Sequence, residues 1–157
     1  MFTPEKMYML SAIVAARESK AAGDYAVGAA IANDEGLIFA TGNRTHLDQD
    51  ATKHAEIIVI QAAAKILGRK NLSDCVVYST HEPCPMCAGA MFWSRVGGLV
   101  YGASILDHRK FAAEHANEQW KWRTMSQSAK LILPEMWDKG LIVPRFMRRE
   151  CLKLFHA

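Results

Sequence analysis

The chain predicts an α/β sandwich, one mixed sheet covered by helices on both faces. Three observations carry this. Two short apolar stretches flank a turn and read as a hairpin. Strand and helix patterns alternate after it. The helical stretches show apolar residues at three- and four-residue spacing, so each has one face to bury.

Taken in order, Thr3-Pro4-Glu5 reads as a helix start, with a hydroxyl cap, proline at the first helical position and an acid near the positive end of the dipole. Met7, Leu10, Ile13 and Val14 continue it as an amphipathic helix over 4–22, ended by Gly23-Asp24. Ala26–Ala32 is small and apolar, a buried strand. Asn33-Asp34-Glu35-Gly36 turns the chain, and Leu37–Gly42 returns as the partner strand. Asn43–Thr52 is polar and reads as a loop. His54–Leu67 is a helix with Ile57, Ile58, Ile60 and Ala64 on its apolar face, stopped by Gly68. Cys75–Thr80 is a β-branched strand, Pro85–Trp93 a helix, and Leu99–Ala103 a strand introduced by Gly97-Gly98. Helical pieces are expected over 108–120 and 126–138, then a terminal helix over 145–155.

The 157 residues read as a single domain, 1–157, long enough to bury a real core. Half the residues are hydrophobic and 22% are charged, ordinary for a soluble globular protein. No stretch approaches the roughly 18 apolar residues of a membrane span. Met1-Phe2-Thr3-Pro4-Glu5-Lys6 lacks a basic start followed by an apolar run, so no signal peptide is read, and cytoplasm is the expected compartment. The formal charge is +3. Arg145, Arg148, Arg149 and Lys153 gather near the C-terminus, as the solvated face of a helix or as a phosphate-contacting patch.

His54-Ala55-Glu56 and Pro83-Cys84-Pro85-Met86-Cys87 carry the chemistry. One His and two Cys supply three ligands to a tetrahedral zinc, and a catalytic site leaves the fourth corner to water. Cys84 and Cys87 fall in the first turn of a helix, where a thiol is more acidic. Cys75 and Cys151 sit in apolar patterns and read as core residues. The paired motif His-x-Glu … Pro-Cys-x-x-Cys is that of the zinc-dependent deaminases. The chain resembles the cytidine deaminase-like superfamily, within it the bacterial purine branch of guanine and tRNA adenosine deaminases. The resemblance covers residues 5–107 well and 108–157 poorly.

That resemblance implies a three-layer α/β/α sandwich with a mixed central sheet of about five strands. It implies one Zn²⁺ per subunit on His54, Cys84 and Cys87. The reaction would be hydrolytic deamination: zinc hydroxide attacks the amino-bearing ring carbon, Glu56 shuttles protons, and ammonia leaves. Asn43 would hydrogen-bond the base, with a turn residue as its plainer reading, and an amide offers a donor and an acceptor at once. Ala55 would touch the substrate through its N–H. Trp93 would pack beside the base, as in the guanine deaminase pattern, or else lie in the core. Glu114 falls near the acidic residue that reads the purine edge. His81 stands where relatives carry an apolar residue or Cys, and reads either as lining the pocket or as structural. Guanine is the first expected substrate. The alternatives are a tRNA wobble adenosine, supported by the Met86–Met91 run and the basic C-terminus, and then cytosine or cytidine. A nucleic-acid-binding module with a structural zinc would have no use for Glu56. A homodimer is implied, with the helices after the metal motifs at its interface, C-terminal segment exchange, and Phe111, Trp120, Trp122 and Trp137 as apolar contacts.

Overall fold

A computed structural model describes residues 2–115 and 125–156. Five strands form one sheet in the order β2-β1-β3-β4-β5. They are β1 (Gly28–Asn33), β2 (Gly36–Gly42), β3 (Val76–His81), β4 (Gly98–Ala103) and β5 (Ile142–Val143). The hairpin pair β1/β2 and the pair β1/β3 are antiparallel, whereas β3/β4 and β4/β5 are parallel. The sheet is mixed, as expected.

Side-chain alternation along β1 divides the core. Ala29 and Ile31 face one layer with Val77 and Leu99, against α2 (Ala55–Leu67) and α3 (Pro85–Trp93). Ala30 and Ala32 face the other with Tyr78 and Val100, against α1 (Lys6–Ala21) and the C-terminal segment. Val59 on α2 and Met9 on α1 are fully buried, each worth about 1.5–3 kcal/mol of transfer free energy. The small residues of β1 let α1 approach until backbone nearly touches backbone. A Cβ on Gly28 would collide with Ala12 O and Ala16 N of α1. Gly28→Ala is therefore expected to cost about 3 kcal/mol, the upper end of overpacking. The check is a lower urea midpoint at unchanged m-value.

Several boundaries differ from the expected ones. Helix α1 begins at Lys6, with Glu5 extended and making no side-chain cap. The Glu5 N–H donates instead to the Tyr78 hydroxyl on β3, at 3.1 Å. Thr3-Pro4-Glu5 is thus an extended approach held by the sheet. Helix α4 runs from Ile105 to His115, starting earlier than expected. Its start is a reciprocal cap: Asp107 N–H donates to Ser104 Oγ (3.2 Å), and Ser104 N–H to the Asp107 carboxylate (2.9 Å). Residues 116–124, with Trp120 and Trp122, lie outside the described part. The helix expected over 126–138 is two short ones, α5 (Ala129–Ile132) and α6 (Pro134–Asp138), because Pro134 disfavours helical geometry at Leu133. The terminal helix shrinks to α7 (Arg148–Leu152) and a 3₁₀ turn, Lys153–His156. Left-handed backbone at Arg145 and Met147 prevents an earlier start.

Candidate active site

The N-termini of α2 and α3 meet. His54 is the N-cap of α2, Cys84 the N-cap of α3, and Cys87 lies in the first turn of α3, with Pro85 at the helix start. His54 Nδ1 lies 3.7 Å from Cys84 Sγ and 3.5 Å from Cys87 Sγ, and the two sulfurs are 3.7 Å apart. A tetrahedral zinc with Zn–S of about 2.3 Å and Zn–N of about 2.0–2.1 Å requires edges of roughly 3.8 Å for S–S and 3.6 Å for S–N. The triangle has the size of one face of that tetrahedron, so the residues present fit the metal. Among the described residues these three are the only group able to hold one.

Electrostatics favours a cation here. Cys84 is pulled down to about 4, first by the hydrogen bond from the Cys87 thiol and then by His54, against burial. Cys87 is pushed up because it is that donor and is buried. The pairing favours thiolate on Cys84, and a bound divalent cation would favour it on both sulfurs.

Glu56, two residues beyond His54, is 3% exposed. Its Oε1 accepts from Ser79 Oγ at 3.0 Å, and its Oε2 lies 3.7 Å from Cys87 Sγ. Burial raises its carboxyl above the ordinary range, only partly opposed by His54. A carboxylate in that condition, beside the ligand triangle, can take and return protons. Ser79 was not singled out in the sequence; its signal is a hydroxyl within an apolar strand.

Asn43 follows β2 and is buried. Its Nδ2 donates to Asp24 Oδ1 (2.7 Å) and Thr45 Oγ1 (2.8 Å). Both amide protons are thereby used, which corrects the expectation of a donor and an acceptor on offer together. Asp24 is fully buried and also accepts the N–H of Tyr25, His46 and Leu47. Burial would raise its carboxyl, but the N–H of Leu47, the Asn43 amide and the other donors outweigh it and hold it low. Ala55 is fully buried at the first position of α2, where an N–H has no partner within the helix.

The structure does not gather every expected residue. Trp93 is the last residue of α3, 81% exposed, with its ring edge-on to Phe92. A core position is ruled out, and within one chain Trp93 lies at the opposite end of α3 from Cys84. Glu114 is exposed on α4 and lines a cavity with Asp107, Lys110, Phe111, His115, Arg148 and Leu152, none of them metal ligands. The residue count that suggested Glu114 did not anticipate where α4 starts. His81, at the end of β3, is buried against Phe155 (4.8 Å between ring centres) and His108 (5.7 Å). Burial and then His108 push it down to about 3, so it stays neutral.

Glu82, beside the metal loop, is a residue the sequence reading passed over. Its carboxylate accepts the N–H of Ile105 and of Ala129, the first residues of α4 and α5, both at 2.9 Å. It ties Pro83-Cys84 to the C-terminal third of the chain. Glu82→Ala is expected to cost about 1–3 kcal/mol, a fall of roughly 3–10 °C in Tm. Thermal unfolding with metal analysis on the folded protein would show this with metal content retained.

A mixed-sheet α/β/α fold that brings one His and two Cys together, with a buried Glu alongside, defines a metal-site protein of the deaminase type. The family described as the cytidine and deoxycytidylate deaminase zinc-binding region matches residues 3–103, and the chain belongs to it. A tRNA-specific adenosine deaminase of Agrobacterium fabrum (strain C58) is 41% identical over 144 residues, 85% of this chain and 95% of that protein. A guanine deaminase of Bacillus subtilis (strain 168) is 41% identical over 80 residues; the alignment takes in 51% of each, so the chain spans about half the length of that relative. Among solved structures, guanine deaminase from Nitrosomonas europaea superposes with a TM-score of 0.80 over 99% of this chain and 85% of that one, at 22% identity, a likeness of fold.

Proposed function

We propose that the chain is a zinc-dependent hydrolytic deaminase of a nucleobase or related aminated heterocycle, with guanine as first substrate. The observation that carries this is the placement of Glu56 Oε2 beside the His54–Cys84–Cys87 triangle, held from behind by Ser79. Zinc on those three residues supplies a polarised water as nucleophile. Glu56 takes the proton from the attacking water. It passes that proton to the ring nitrogen, then carries the remaining proton of the added hydroxyl to the departing amino group. One C–O bond forms and one C–N bond breaks, so base and water become the oxo base and ammonia. Asn43 and the Ala55 N–H orient the ring, and Ser79 keeps Glu56 turned toward it.

A small substrate is favoured by the pairing of the basic C-terminal patch within the chain. Arg148 pairs with Asp107 at 2.5 Å, which neutralises part of the basic patch. The second reading, a tRNA wobble adenosine, rests on the Agrobacterium relative, matched over nearly its whole length. The working unit in this proposal is a homodimer, with exposed Phe92 and Trp93 of α3 turned to the partner, while the C-terminal segment packs on its own chain rather than being exchanged. No helix among the described residues is long and apolar enough to cross a membrane, and a cytoplasmic place suits the free thiols.

Ammonia release from zinc-loaded protein separates these readings. The panel is guanine, adenine, cytosine, their nucleosides and a wobble-position anticodon stem-loop. Release from free guanine, insensitive to salt, supports the first reading. Release from the stem-loop alone, falling steeply with salt, replaces it with the second.

A further inference from the structure

We propose that Asp24 is a positioning residue that locks the Asn43 amide with its nitrogen inward, so that Asn43 meets the substrate as an acceptor and selects for a ring N–H. The inference rests on the reading above that Asn43 contacts the base. A carboxylate only accepts hydrogen bonds, so the atom of Asn43 that faces Asp24 must be the nitrogen. The second amide proton goes to Thr45 Oγ1. Only Oδ1 is left to offer. The backbone of Asn43 is committed too, its N–H to Val27 O (2.8 Å) and its carbonyl accepting from Ser19 Oγ (2.6 Å). Asp24 is fixed in turn, since Oδ2 accepts from the His46 and Leu47 N–H (2.8 and 3.0 Å) and Oδ1 from the Tyr25 N–H (2.8 Å).

Asp24→Asn reverses the arrangement without changing volume. The new amide keeps its oxygen at the Oδ2 position, where two backbone N–H groups hold it, and turns its nitrogen toward Asn43, at the cost of the bond that Oδ1 accepted from the Tyr25 N–H. Asn43 then rotates its oxygen inward and presents N–H to the ligand. The double variant Asp24→Asn/Asn43→Asp restores an acceptor, because the carboxylate now at position 43 accepts from the amide now at position 24 and offers its other oxygen outward.

The test measures inhibition constants of guanine, 1-methylguanine, 9-methylguanine and 7-deazaguanine on the zinc-loaded full chain. It compares wild type, Asn43→Ala, Asp24→Asn and the double variant, each verified as folded by circular dichroism. In wild type, one of the methyl blocks weakens binding by up to about tenfold, the scale of one neutral hydrogen bond. Loss of the N7 acceptor weakens wild type no more than Asn43→Ala. Asp24→Asn shifts the penalty from the blocked N–H to the lost acceptor, and the double variant shifts it back. A methyl group's bulk cancels between wild type and the isosteric Asp24→Asn. An Asp24→Asn protein that keeps the wild-type preference, while Asn43→Ala weakens binding, overturns the inference and leaves the base contact standing. An Asn43→Ala protein that binds all four like wild type overturns the base contact, and the inference falls with it.

Discussion

Glu56→Gln is expected to retain zinc and fold while turnover falls by about 10²–10⁴-fold, the span of positioned acid–base groups. The substitution isolates proton transfer. A glutamine oxygen still accepts from Ser79 Oγ, so the side chain keeps its place, but it no longer takes a proton from water. Glu56→Ala is expected to lose more, because it also removes the group that orients the water. The buried carboxylate is costly to keep: burial already disfavours its charge, and an amide of equal shape would sit there more cheaply. That cost is intelligible for a group that must change protonation during each turnover. Steady-state kinetics with zinc analysis on the same preparation provides the check. Activity within tenfold of wild type would remove Glu56 from the chemistry.

Cys87→Ala is expected to lose the metal itself, from one zinc per chain to nearly none after dialysis. Cys87 is fully buried, and its sulfur lies within 3.7 Å of both other ligand atoms. Neither other Cys is placed to replace it: Cys75 precedes β3, at the strand end away from the metal loop, where burial and Asp74 push it up to about 11, and Cys151 packs in the α1 layer beside Met9. The metal joins the N-termini of α2 and α3, so zinc should raise the Tm of wild type by mass action and leave the variant unmoved. Full zinc content in Cys87→Ala would show that the triangle is not the site.

The metal residues were legible in the sequence because element chemistry dictates them. Soft and borderline ligands at fixed spacing, with proline setting the entry of α3, leave few other readings, and α3 runs over the expected residues, Pro85–Trp93. The residues that support them were hidden for the opposite reason. Asp24 read as no more than the end of a helix, since all its partners but Tyr25 lie 19–23 positions further on. Ser79 and Glu82 are defined by what the fold places opposite them, 23 and 47 positions away at the farthest. Strand β5 is two residues long, too short for any period to register. The Ser104–Asp107 cap is a hydroxyl followed three positions later by an acid, a signal that the expected start at 108 passed over. For Trp93 and Glu114, a helix end and an earlier helix start decide what those side chains face within one chain.

The central claim is that these three ligands and Glu56 together hydrolyse a C–NH₂ bond on an aromatic heterocycle. The most direct measurement is ammonia release from guanine and from the anticodon stem-loop by the chelator-stripped chain, titrated back with zinc, with Glu56→Gln alongside. No release is expected without metal, and recovery should saturate at one zinc per chain. A zinc-replete Glu56→Gln protein is expected to release ammonia about 10²–10⁴-fold more slowly. Release that persists without zinc, or that Glu56→Gln supports at the wild-type rate, would contradict the claim.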